Sequence, residues 1–298
     1  ESISLTHGTA TQIVLTQNAS GAKSGQAFTT QPTLAIRDAD GNLVDTGAAA
    51  STQIQVQTGA TAYDVNAHTG ADLTGPAGSD VVTASAGIAT FANLRLEGVA
   101  ASAYALNFTT VNTTGYNGFT ATQNIALTAG TETHLRVVQQ PANIVAGVAF
   151  ASAVRAEILD AWNNRVLDVA NTVTIKPTLY SDAAATNVLD SSKSAVANAN
   201  GLVTFTGLTF TKAGTSYIQF TSTGLTSVTS TSFDITNASA HHLTWITSPV
   251  GAKNDYAVKG AAGADPELEV RDQYENPVLV GAATTVSVAE QPSNSDVI

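Results

Sequence analysis

Cysteine and methionine are both absent from the 298-residue chain. Without cysteine there is no disulfide, no thiolate metal site and no cysteine nucleophile. Charge is also scarce: Asp, Glu, Lys and Arg make up 12% of the residues, and 23 acidic against 12 basic side chains leave a formal net charge of −11. A chain so acidic repels a phosphate backbone, which argues against nucleic acid as a partner. No apolar run approaches the roughly 20 residues that a membrane-spanning helix requires, so no span is expected in this segment. The first residue is Glu1, and a chain without methionine cannot begin at a translation start. The expectation is that something upstream has been removed, a secretory signal peptide being one candidate.

What fills the chain instead is Thr, Ser, Ala and Gly around a hydrophobic content of 43%. β-Branched residues with little charge suit extended strands. The length suits two or three domains, each large enough to bury a core. An internal repeat is visible. Asp38-Ala39-Asp40-Gly41-Asn42-Leu43-Val44, Asp160-Ala161-Trp162-Asn163-Asn164-Arg165-Val166 and Asp272-Gln273-Tyr274-Glu275-Asn276-Pro277-Val278 align, 122 and then 112 residues apart. A second pair of stretches, Gly87-Ile88-Ala89-Thr90-Phe91-Ala92-Asn93-Leu94 and Gly201-Leu202-Val203-Thr204-Phe205-Thr206-Gly207-Leu208, lies 114 apart. Tyr104 to Phe108 and Tyr217 to Phe220 form a third, approximate match.

Within each repeat apolar residues alternate with a period of two, as in half-buried strands. Ile13 and Leu15, Leu135 and Val137, and Leu243 and Trp245 are expected to face inward on the first strands of successive repeats. Further strands are expected over 33–38, 52–57, 88–96, 104–111 and 124–128. About seven short strands per roughly 110 residues, with no credible helix, predict an all-β chain of tandem immunoglobulin-like β-sandwich domains. The expected division is residues 1–8 as the last strand of a preceding repeat, 9–130 and 131–238 as two domains, and 239–298 as a third, truncated one. Phe91 and Phe205 should be equivalent buried residues, and Trp245 should be core.

The first Asp stretch resembles the start of an EF-hand loop, which needs Gly at its sixth position and a bidentate carboxylate at its twelfth. Counted from Asp38 those positions are Leu43 and Ala49. The repeats also replace Asp40 with Trp162 and Tyr274. Turn chemistry accounts better for the pattern, Asp capping backbone N–H groups and Asn tolerating a left-handed backbone. A lone, weak calcium site at Asp38, Asp40 and Asn42 is the alternative.

An apolar strand, then D-x-x-G-N-x-V, then a later G-x-A-T-F-x-N-L is similar to the tandem bacterial Ig-like domains of invasin- and intimin-type adhesins and of related surface-layer proteins. Asp38, Gly41, Asn42, Val44, Gly87, Ala89, Thr90, Phe91, Asn93 and Leu94 carry the resemblance; the second repeat departs from it at Asn163, Val203 and Gly207. It implies a scaffold, extracellular and at a prokaryotic cell surface, with no activity of its own.

No motif for catalysis stands out. His7, His68, His134, His241 and His242 make no metal-binding spacing, and adjacent strand residues such as His241 and His242 should point to opposite faces. Neither G-x-S-x-G nor G-x-x-x-x-G-K-[ST] occurs. Asp265, Glu267 and Glu269 alternate along a predicted strand beside Arg271, either as a solvated face or as a contact for calcium or a partner. Trp162 falls in a turn, where it can fold back over its own sandwich or be exposed to stack on a sugar or anchor an interface. Four glycosylation sequons, at Asn18, Asn107, Asn112 and Asn237, are about the number expected by chance in so Thr- and Ser-rich a chain.

These readings lead to a non-enzymatic structural segment, part of a surface layer or an adhesin stalk, with neighbouring copies of itself or cell-surface components as partners. Calcium is the one cofactor the sequence leaves open. The alternatives are a carbohydrate- or ligand-binding module using Trp162 or loops near Tyr63 and Tyr116, and an accessory Ig-like segment of a secreted enzyme.

Overall fold

The computed structural model describes residues 6–59, 71–75, 80–167, 173–198, 200–250, 264–281 and 285–287. Most of the expected preceding strand (residues 1–5), Tyr63, His68 and the end of the third repeat lie outside the described residues. Among those described, the regular structure is β-strand, with one short 3-10 turn at Ala48–Ser51.

The first module is a sandwich of two sheets. Ala10–Gln17, Thr33–Asp38 and Ile88–Thr90 form one. The other runs in the order Ala22–Lys23, Thr120–Thr128, Ala101–Val111, Gln53–Thr58, Val81–Thr83. Strand alternation aims Leu34, Ile36, Ile54, Val56, Leu106 and Phe108 into the space between them. Phe91 packs edge-on against Phe108 with ring centroids 5.5 Å apart, an arrangement that places the positive ring edge on the negative face. The predicted strand 88–96 is two strands, Ile88–Thr90 and Arg95–Gly98, because Asn93 adopts a left-handed φ of 60° that interrupts the ladder. Gly207 takes the same place in the second repeat with φ 65°, so the departure from Asn to Gly there preserves the backbone.

The second module repeats this plan with its own core, which shares no residue with the first. Glu132–Gln139, Val154–Asp160 and Leu202–Phe205 match the three-stranded sheet, and Phe205 is as buried as Phe91 requires. Its two sheets meet along one edge, where His134 pairs with Thr226.

The described part of the third repeat is the hairpin Ala240–Thr247 with Glu267–Asp272. Its register, Ala240 opposite Asp272, repeats Ala10 opposite Asp38 and Glu132 opposite Asp160. Trp245 and Leu243 are not core: they are 43% and 48% exposed, because among the described residues no second sheet covers this hairpin. In the complete modules Ile13 and Leu135 are buried, whereas Leu15 and Val137 are half-buried at the margin of each core.

All three first strands carry a register shift one residue from their start. In the third this shift turns His241 and His242 toward each other, correcting the expectation of opposite faces: their Nδ1 atoms are 3.2 Å apart. A bulge rotates the following side chain out of strict alternation.

Candidate functional site

The three Asp turns have one geometry. Asp38 N–H donates to the Asn42 carbonyl at 3.1 Å, and Asp160 and Asp272 do the same to Asn164 and Asn276 at 3.0 Å. Val44, Val166 and Val278 then return to the strand by donating to Ile36, Ile158 and Val270. The left-handed residue is the fourth of each turn, Gly41 (φ 84°), Asn163 (φ 61°) and Glu275 (φ 66°), and not the Asn that follows. The Asn is retained for its side chain.

Each Asp carboxylate is saturated with N–H donors. In the second repeat, Oδ1 of Asp160 accepts from the backbones of Trp162 and Asn164, both at 2.9 Å. Oδ2 accepts from the Asn164 side chain at 2.9 Å and from Gly130 N–H at 2.7 Å. Gly130 lies in the linker from the first module, three residues (129–131) between strands that end at Thr128 and begin at Glu132. In the same manner Ala238 N–H, in the next linker, reaches Asp272 at 2.8 Å, and Gly8 N–H reaches Asp38 at 2.6 Å. These N–H groups occupy the oxygens that a cation would need. Among the described residues no group of three His, Asp or Glu is placed to hold a metal ion.

The Asn side chains then cross to the preceding module. Asn164 Nδ2 donates to the carbonyl of Gly98 at 2.8 Å, and its Oδ1 accepts from Ala100 N–H at 2.7 Å. Asn276 donates to Thr211 carbonyl at 2.7 Å and accepts from Ala213 N–H at 2.9 Å. In both joints one primary amide reads a carbonyl and the N–H two residues on, just where the chain enters a long strand. Asn164 and Asn276 are buried at 7% and 0% exposure.

An aromatic completes each joint. Trp162 sits on Gly25, where an added Cβ would lie 2.4 Å from the indole, and Tyr274 sits on Gly147, where it would lie 1.9 Å from the hydroxyl. Both glycines have left-handed φ, 75° and 79°. Trp162 is thus half-buried against a neighbouring module, neither folded over its own sandwich nor exposed. The receiving glycines were missed in the sequence, although Gly25-Gln26-Ala27-Phe28 and Gly147-Val148-Ala149-Phe150 recur at the same 122-residue spacing as the first two turns.

Of the other predicted residues, Asn237 lies in the second linker, where its side chain donates to the Ala238 carbonyl at 3.3 Å. Glu269 pairs with Arg271 at 2.8 Å, Glu267 is exposed on the same strand, and Asp265 is exposed just before it. Tyr116 packs against the first core. Asn18 and Asn112 are exposed, Asn112 bonding Gln53 at 2.8 Å, and Asn107 and Asn237 are half-buried.

The N–H of Gly8, then the Asn42 side chain, hold the Asp38 carboxyl down at about 2. Burial alone would raise that of Asp272, but the Asn276 side chain and the surrounding N–H groups bring it to about 2. An unfolded Asp titrates near 3.9, so both turns contribute stability above that value and lose it as pH falls from about 4 toward 2. A thermal unfolding series should show a flat midpoint from about pH 8 to 5 and a decline below about pH 4. A midpoint unchanged at pH 3 would show the carboxylates to be energetically idle.

No protein-family model matches the chain, and no curated protein does. Among solved structures it is similar to the adhesin FdeC of Escherichia coli, with 16% identity and a TM-score of 0.32 over 76% of this chain and 64% of that one. InvD of Yersinia pseudotuberculosis gives 16% and 0.34 over 86% and 69%. A beta-glycosidase from Bacteroides vulgatus gives 9% and 0.27 over 76% and 25%. The chain thus spans less than two thirds of FdeC, and the Ig-like sandwich assignment stands on the strand order described above.

Proposed function

We propose that this chain is a non-enzymatic, structural stalk segment of a prokaryotic cell-surface protein, its Ig-like modules stacked end to end to hold another part of the assembly away from the surface. The observation that carries the reading is the joint. Domains linked by a flexible tether move independently by default. Here a three-residue linker is itself hydrogen-bonded at Gly130, and the Asn164 amide and the Trp162 ring fix the next module against Gly98, Ala100 and Gly25. Such a device transmits orientation along a rod. The motif resemblance to invasin- and intimin-type repeats supports the surface setting, and the use of Trp162 inside the joint weighs against a sugar-stacking role.

Removing the Asn164 side chain leaves the Ala100 N–H without its partner and takes one of two donors from the Gly98 carbonyl, which Ser24 Oγ also reaches at 2.9 Å, a loss of about 2 kcal/mol. Asn164→Ala should therefore widen the distribution of distances between spin labels on the first and second modules, while each module keeps its fold. An equally narrow distribution in the variant would remove the basis of the stalk reading. Electron microscopy with calcium and after chelation should show separate rods in both conditions; ordered sheets that dissolve on chelation would move the assignment to a cation-bridged surface layer.

A further inference from the structure

The turns at Asp160 and Asp272 are engaged by a preceding module, and the turn at Asp38 is built alike but meets no module among the described residues. Asn42 keeps its bond to Asp38 Oδ2 at 3.1 Å, yet it is exposed, and its Oδ1 has no hydrogen-bond partner among the described residues. The chain entering this turn is already set as at the other joints, with Gly8 N–H on Asp38. Beside it lies an open depression of about 650 Å³ lined by His7, Asp40, Asn42, Asp45 and Thr46 among others.

We propose that this end of the first module is the amide-bearing face of a further joint, and that its occupant is another Ig-like module, continuous with the chain that enters at Gly8. The module docks through the backbone of a strand-entry turn. The three turns are equivalent. A primary amide held by an Asp presents one N–H and one oxygen side by side, and in this fold that pair binds a carbonyl and the N–H two residues later. Asn42 offers the same pair from the same turn. A small side-chain ligand would not need the linker N–H to be fixed in the same way, whereas an incoming module does.

The joint differs in one respect. Asp40 stands where Trp162 and Tyr274 stand, and a carboxylate cannot cover a left-handed glycine as an aromatic ring does. Its occupant therefore presents an N–H donor or a basic side chain at the place of Gly25 and Gly147. His7, bonded to Thr46 at 2.7 Å and 3.7 Å from Asp45, borders the same face.

The inference rests on the joint reading proposed above, and the test separates the two. The full chain is extended by placing a copy of residues 9–129 directly ahead of Gly8, so that the copied Gly98 and Ala100 can meet Asn42. The Asn42 side-chain amide protons should exchange at least about tenfold more slowly in the extended chain than in the original. Asn42→Ala should broaden the spin-label distances between the copy and the first module, and Asp40→Trp should narrow them by restoring ring-on-glycine packing. Unchanged exchange of Asn42, with no effect of Asn42→Ala, would overturn the proposal. Asn164→Ala in the same protein is the reference: if it too leaves its joint unaltered, the joint reading fails; if it loosens its joint while Asn42→Ala does nothing, only the present inference fails.

Discussion

Asp160→Ala should lower the unfolding free energy of the second module by about 4 kcal/mol, since each buried donor left without an acceptor costs about 1–3 kcal/mol and some will find water. Four N–H groups converge on this carboxylate, from Trp162, Asn164, the Asn164 side chain and Gly130, and Asp160 has 0% exposure. Asp160→Asn retains one oxygen but turns an NH₂ toward donors, so it should recover only part of the loss. The Gly130 bond also spans the joint, so the alanine variant should loosen the linker as well as the turn. Urea denaturation followed by circular dichroism reads the first effect, and spin-label distances read the second. A loss below about 1 kcal/mol would mean that water replaces the carboxylate at little cost.

Gly87→Ala should destabilise the first module by about 3–5 kcal/mol and leave the second unaltered. A Cβ at Gly87 would lie 2.2 Å from the Val44 carbonyl oxygen, and the residue has φ 76°. The obstacle is backbone, held by the Val44 bond to Ile36 at 2.9 Å, while Gly87 itself accepts from Ile36 and donates to Ala50. No rotamer change relieves it. Because the two cores have no residue in common, two-stage unfolding should show one transition displaced and one fixed. Equal displacement of both would show that the joint couples the modules into one cooperative unit.

Much of this architecture is legible in the residues. The Asp, Asn and Val of each turn recur at fixed places, and the strand 33–38 lies where alternation puts it. Phe91 and Phe205 fill equivalent sites because the sheet pairing around them is the same. Trp245 misleads since period-two patterning marks a face but says nothing of whether a second layer covers it. The joint is harder still to foresee. Asn42, Asn164 and Asn276 look alike in sequence, and what distinguishes them is the main chain of another module, whose carbonyls and N–H groups have no letter in the alphabet. The Trp and Tyr could be recognised as turn aromatics, but their glycine seats lie more than a hundred residues earlier in the chain.

The receiving half of each joint consists of a carbonyl, an N–H and one glycine. Every Ig-like unit of this kind has the first two whatever its side chains, so the interface asks almost nothing of the neighbour's sequence. Units can then be duplicated, deleted or exchanged at the level of the gene without compensating changes across the boundary. The number of modules becomes a heritable variable that is free to drift while the bonding at each joint is kept.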